Sequence, residues 1–203
     1  MGIVPLSLQI LLRHADLIGG LRPCRMMELG CQQMLSHPDI AEGSAAKEWF
    51  ERQGIAQHVS IDINGKFDSL PLDLTKPIYR PEWEGNFDIV TDFGTSEHVG
   101  ADLSWLWQAR ENCHRWARPY GLLIYMNPKT GHWPDHGYHY FTESHYRALA
   151  PACRYRVVDI SEHPTLGNAK DGAQILAVLQ KNGGPFVPLA DFIRLCQGTV
   201  FPR

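Results

Sequence analysis

The sequence predicts an α/β domain whose mostly parallel sheet is covered by helices on both faces. Two observations carry this. Short apolar runs alternate with segments of helical periodicity about 10 to 17 residues long, the pattern of parallel strands joined by crossover helices. The last two apolar runs have no helical segment between them, so they are expected to pair as an antiparallel hairpin at one edge.

The elements follow in chain order. Residues 5–18 place Leu8, Leu11, Leu12, Ala15 and Ile18 on one helical face, and Gly19-Gly20 ends that helix, the body of a lead-in over residues 1–22. Residues 26–29 form a short strand that stops at Gly30. Residues 44–53 (SAAKEWFERQ) are helix sequence, with Ser44 as N-cap and Gly54 past the end. Residues 58–63 (HVSIDI) have the β-branched content of a strand, closed by the turn pair Asn64-Gly65. Residues 87–91 (FDIVT) make a buried strand. A long helix over residues 102–118 stops at Pro119, and residues 122–126 (LLIYM) form a strand that Pro128 closes. Thr142 caps a helix reaching about Leu149, and residues 154–160 and 174–179 are the final strands. Residues 183–203 read as a packed C-terminal extension of one domain spanning 1–203.

Composition narrows the function. A chain of 203 residues that is 44% hydrophobic and 20% charged buries a core of its own. A net charge of −3 supplies no basic field, so no nucleic-acid partner is expected. Five scattered cysteines without a C-x-x-C pair suggest neither a disulfide framework nor a cysteine zinc site, and fit a reducing cytoplasm. The apolar run at residues 6–12 is far shorter than a membrane span, no signal peptide is read, and no membrane partner is expected.

In an open α/β sheet, ligands bind beyond the carboxyl ends of the strands. There the chain reads Glu28-Leu29-Gly30-Cys31-Gln32-Gln33, with a single glycine where a dinucleotide fingerprint needs three. A Walker A loop is absent from the sequence too. Asp62, at a strand end, is placed to accept two hydrogen bonds from a ribose diol, and Asp73 sits in the next loop, within reach of an adenine edge. An Asp near Gly or Pro also forms turns. The ordered set Glu28, Gly30, Asp62, Asp73 and Asp88 is less easily explained that way.

Met27-Glu28-Leu29-Gly30, Ser60-Ile61-Asp62, Leu72-Asp73-Leu74, Phe87-Asp88-Ile89-Val90 and Ser96-Glu97-His98-Val99 together resemble the motif series of class I S-adenosylmethionine-dependent methyltransferases, over roughly residues 25–180. The resemblance implies a Rossmann-like, seven-stranded sheet with an antiparallel edge strand. It implies S-adenosylmethionine as cofactor, with Glu28, Gly30, Gln32, Asp62, Ile63, Asp73, Leu74 and Asp92 as the candidate cofactor-binding residues. Cys31-Gln32-Gln33 departs from the family by replacing the later loop glycines.

Histidines cluster where an acceptor belongs. His132, His136 and His139 follow the strand at residues 122–126, His98 follows the strand at residues 87–91, and all four are expected at one rim. They are the candidate catalytic residues, since imidazole titrates near neutrality and can take a proton from an acceptor. Packing in an aromatic loop with Trp133, Tyr138 and Tyr140 competes with that role. Metal ligation, with Asp135 or Glu97 adding a carboxylate, ranks last because no H-E-x-x-H grammar is present, and no metal is expected. Trp105, Trp107 and Trp116 share a helix and read as core and shielding residues; Trp133 is better placed to flank a ligand.

The leading expectation is methyl transfer to an oxygen or nitrogen of a small-molecule acceptor, where alignment carries most of the catalysis. A non-catalytic binding or scaffold protein on the same fold, motivated by the missing glycines, stays open. So does a metal-dependent hydrolase using the histidine loop, since fold alone does not fix function.

Overall fold

The computed structural model describes residues 2–164 and 172–202. Its elements are β1 (Gly2–Ile3), α1 (Pro5–Ala15), β2 (Arg25–Leu29), β3 (Gln33–Met34), α2 (Ala46–Arg52), β4 (Gln57–Ile61), β5 (Phe87–Phe93), α3 (Leu103–Trp116), β6 (Ala117–Pro128), β7 (His139–Phe141), α4 (Glu143–Ala152), β8 (Tyr155–Pro164), β9 (Ala173–Lys181), α5 (Leu189–Cys196) and β10 (Val200–Pro202).

Six strands form the main sheet in the order β4-β2-β5-β6-β9-β8. The first four run parallel, and β9 lies antiparallel to both β6 and β8. The expected hairpin is therefore present, with its reversed strand one place in from the edge. Side chains alternate across the sheet with period two. Met26, Ile89, Leu122 and Ile124 pack on one face with residues of α1 and α2, while Met27, Val90, Leu123 and Tyr125 pack on the other with residues of α3, α4 and α5.

Two expectations are corrected, the number of strands and the cap of α2. Among the described residues the sheet has six strands, not seven, because outside β4 only Leu70 pairs: its N–H donates to Ser60, its carbonyl accepts from Asp62, and Pro71 then supplies no N–H to continue the ladder. The crossover from β4 to β5 holds no helix, and Leu74, Ile78 and Trp83 cover that part of the sheet instead. Ser44 does not cap α2; Ala45 holds that position, and the Ser44 carbonyl accepts from Met34 at 2.8 Å.

The long helix behaves as its sequence suggests. Asp102 accepts the Ser104 N–H at 2.8 Å, and α3 ends at Trp116, before the residue preceding Pro119. Trp116 is fully buried and Trp107 donates to the Val187 carbonyl, but Trp105 is exposed and lies against Gly100, so it is not a core residue.

Candidate active site

The parallel strands bring the chain segments after β2, β4, β5 and β6 to one rim. There a cavity of about 310 Å³ is walled by Asp62, Ile63, Leu72, Asp73 and Leu74 on one side and by Thr95, His98 and Val99 on the other. Four of the candidate cofactor residues, Asp62, Ile63, Asp73 and Leu74, thus share one space.

Asp62 is fixed by its own loop. Its carboxylate accepts the Cys31 N–H and the Asn64 N–H, each at 3.0 Å. Partial burial would raise its pKa, but these backbone donors outweigh that and hold it below the usual carboxylate value. Asp73 closes an Asx turn, accepting from the N–H and hydroxyl of Thr75.

The other four stand behind the wall. Glu28 is buried, takes the Gln32 N–H at 3.2 Å and sits 3.4 Å from His58. Gln32 turns inward, donating to the carbonyls of Leu29 and Phe93 and to the Thr95 hydroxyl, so the residue replacing a loop glycine does not fill the cavity. Gly30 has φ of +79°, and a Cβ there would come within 2.5 Å of the Thr95 hydroxyl oxygen and 2.9 Å of Gln32 Nε2. Asp92 is fully buried in an ion pair.

That ion pair belongs to a network of side chains that pattern reading does not find. Asp92 Oδ2 lies 3.0 Å from Arg110 Nη1 of α3 and accepts the Ser96 hydroxyl at 2.5 Å, while its Oδ1 accepts the N–H groups of Thr95 and Ser96. Arg110 also donates to Asn127 and Tyr146. Asn127, at the end of β6, donates to Asp92 at 3.2 Å and to Glu97 Oε2 at 3.1 Å. The network shapes the turn after β5 and sets Glu97. The available sequence signal is Arg110 between Ala109 and Cys113 on the apolar face of α3, a position where a charge needs a buried partner.

The four histidines separate. His98 and His136 meet at the rim with ring centroids 4.8 Å apart, and the Nε2 of each lies 3.7 Å from Glu97 Oε1. Burial pushes His98 below the ordinary histidine value, with Glu97 opposing. Glu97 and His136 also line a second cavity of about 160 Å³, together with Phe93, Met126 and Trp133. His132 lines a different cavity with Tyr140 and Phe201. His139, on β7, is buried, and burial lowers its pKa. The single rim expected for all four therefore gathers two of them.

No protein-family model matches the chain, and no curated protein matches it. Solved structures do. The 1,6-didemethyltoxoflavin-N1-methyltransferase of Burkholderia thailandensis, with bound 1,6-didemethyltoxoflavin and S-adenosylhomocysteine, aligns with a TM-score of 0.57 at 17% identity over 85% of this chain and 76% of that one. The N-methyltransferase NodS of Bradyrhizobium japonicum WM9, in complex with S-adenosylhomocysteine, aligns with a TM-score of 0.57 at 15% identity over 87% and 88%. The [4+2]-cyclase SpnF aligns with a TM-score of 0.55 at 13% identity over 80% and 76%. The chain has the fold of the class I S-adenosylmethionine-dependent methyltransferases. The cyclase among its neighbours is a reminder that the fold alone does not choose the reaction.

Proposed function

We propose that this chain is an S-adenosylmethionine-dependent methyltransferase acting on an oxygen or nitrogen of a small acceptor. The observation that carries the reading is the Asp62 cavity: a fixed carboxylate, able to accept from ribose hydroxyls, beside an apolar wall of Ile63, Leu72 and Leu74 suited to a flat base. The residues present fit the cofactor, because Gln32 points away from the cavity and leaves it open despite the altered loop.

When bound, S-adenosylmethionine supplies a methyl group already activated on a sulfonium. The chain's own residues then have limited tasks. Asp62 would hold the ribose hydroxyls, Leu74 and Ile63 would flank the base, and the Gly30 turn would keep the chain close to the amino-acid end. His98, which lines the same cavity, and His136 beside it would face the acceptor. Two enzymes of this fold crystallised with S-adenosylhomocysteine support the reading. Among the described residues no helix is long and apolar enough to cross a membrane, and we place the protein, with its five free cysteines, in the cytoplasm.

Isothermal calorimetry with S-adenosylhomocysteine tests this. One molecule should bind per chain, and thermal stability should rise with its concentration. A folded protein that neither binds nor is stabilised at millimolar ligand overturns the reading in favour of a scaffold.

A further inference from the structure

We propose that Glu97, His98 and His136 form a site for one first-row divalent cation at the boundary between the two cavities. The three donor atoms all lie within 4.8 Å of one another, and the two imidazole Nε2 atoms are each 3.7 Å from Glu97 Oε1. A cation held at about 2.0–2.2 Å from nitrogen and carboxylate donors spaces those donors by roughly 3 to 4 Å, so small side-chain shifts close the site.

An independent feature points to the same place. Glu97 is fully buried; its Oε2 takes the Asn127 amide, while its Oε1 has no hydrogen-bond donor and is aimed between the two imidazoles. Arg110 is paired with Asp92, and Glu97 is joined to that pair only through Asn127. At 3.7 Å neither imidazole nitrogen hydrogen-bonds Oε1. A cation satisfies the oxygen and both nitrogens at once.

The surroundings are those of a prepared site. Asn127 fixes the carboxylate from behind, as outer partners of metal ligands do. The ring of His136 rests 5.2 Å from that of Trp133, and the His136 backbone N–H donates to the Tyr140 hydroxyl. Two nitrogens and one carboxylate oxygen, without thiolate, suit Zn²⁺, Mn²⁺, Fe²⁺ or Co²⁺ rather than all-oxygen Mg²⁺ or Ca²⁺. Three protein ligands leave coordination positions open toward the 310 Å³ cavity, which His98 lines, and the 160 Å³ cavity, which Glu97 and His136 line. An acceptor oxygen or nitrogen would fill one of them; that role rests on the proposed function, whereas the cation site does not. The sequence reading ranks this site last because its ligands come from two separate segments, the turn after β5 and the loop before β7, and match no local ligand motif.

Chelator-stripped full-length protein titrated with Co²⁺ and followed by its visible spectrum tests the proposal, with Mn²⁺ binding followed by electron paramagnetic resonance. We expect one Co²⁺ per chain, with ligand-field bands of nitrogen and oxygen ligation and no thiolate charge-transfer band. His136→Ala, at an accessible position, should keep the fold and lower cation affinity by about 100-fold or more, and Glu97→Gln should do the same. Affinity for S-adenosylhomocysteine, measured on the same samples, should stay within a few fold for His136→Ala. Failure of the wild-type protein to bind Co²⁺ or Mn²⁺, unchanged binding in folded His136→Ala, or a thiolate band assigning the cation to Cys31 overturns the site. Cation binding without any S-adenosylhomocysteine binding would overturn the methyltransferase reading and leave the site standing.

Discussion

Arg110 Nη1 lies 3.0 Å from Asp92 Oδ2, and both side chains are fully buried. Burial alone would lower the arginine's pKa, but Tyr146 and Asp92 outweigh it and keep the guanidinium charged. Its plane lies 4.0 Å from the centre of the Tyr125 ring. The pair joins α3 to the end of β5 and, through Asn127, to Glu97. Removing one partner leaves the other charge buried alone. Arg110→Met is expected to cost about 3–5 kcal/mol of stability, and Arg110→Met combined with Asp92→Asn distinctly less. Urea denaturation of the two single variants and the double decides it; additive losses would mean that the pair is not coupled.

Stability should fall on mild acidification because two histidines fold neutral. Burial holds both His114 and His145 down at about 3, against an ordinary value of 6.5. The unfolded chain therefore binds protons that the native chain refuses between about pH 6.5 and 3. Stability is complete above that window and drops as pH falls through it, by about 1.4 kcal/mol per pH unit for each histidine. His145 sits among Phe141, Tyr146 and Phe192 with neither ring nitrogen hydrogen-bonded. His145→Phe should flatten the dependence by about half of what the two contribute together. Denaturation midpoints at pH 7, 6 and 5 check this, and an unchanged slope in the variant would exclude His145 as a source.

Much of this architecture is legible in the chain because its signals are local. Strand runs such as FDIVT and LLIYM announce themselves, as does the Thr142 cap, and the order of Gly30, Asp62 and Asp73 along one rim follows from βα alternation. Pairing is different. Leu70 to Leu74 reads as apolar chain, and only the outward neighbour of β4 reveals that Pro71 stops a further strand. The Arg110 network stays hidden because its members come from α3, the ends of β5 and β6, and α4, and no periodicity links Arg110 to Asn127 or Tyr146. Glu28 and Gln32 have the residue types of ligand contacts, but their side chains satisfy backbone groups of the loop itself.

Gly30 tests whether the turn after β2 is structural as well as ligand-facing. The added Cβ would meet Thr95 and Gln32 in a left-handed backbone, so Gly30→Ala should lose about 1–3 kcal/mol of stability in addition to cofactor affinity. Thermal unfolding without ligand measures the first loss and calorimetry the second. Full stability in the variant would show that the loop rearranges freely and that the glycine serves only close approach.

Asp62 separates loop order from ribose recognition. Asp62→Ala should lower S-adenosylhomocysteine affinity by about 1.5–3 kcal/mol, roughly 10- to 150-fold. Because the carboxylate also holds the N–H groups of Cys31 and Asn64, Asp62→Asn, which keeps one acceptor oxygen, should lose less. Calorimetry on both folded variants is the measurement, and affinity unchanged in Asp62→Ala would move the ribose elsewhere.

The four histidines should divide in turnover as they divide in space. His98 and His136 share Glu97 at the rim, whereas His132 lines another cavity and His139 is buried beside Gly100. An acceptor screen by release of S-adenosylhomocysteine must come first, and a substrate that saturates is needed before variants are compared. His98→Ala and His136→Ala should then lower turnover by about 10²- to 10⁴-fold, the span expected whether an imidazole moves the acceptor's proton or helps to hold the group that binds it. His132→Ala should stay near wild type. His139→Ala should lose stability before it loses turnover, since its ring fills core space. Added Mn²⁺ or Zn²⁺ distinguishes the two roles at the rim: turnover that disappears with chelator and returns with metal makes His98 and His136 ligands, and turnover indifferent to both leaves them as proton carriers. Equal activity in all four variants on a genuine substrate would show that alignment alone drives the reaction and that the rim histidines pack rather than act.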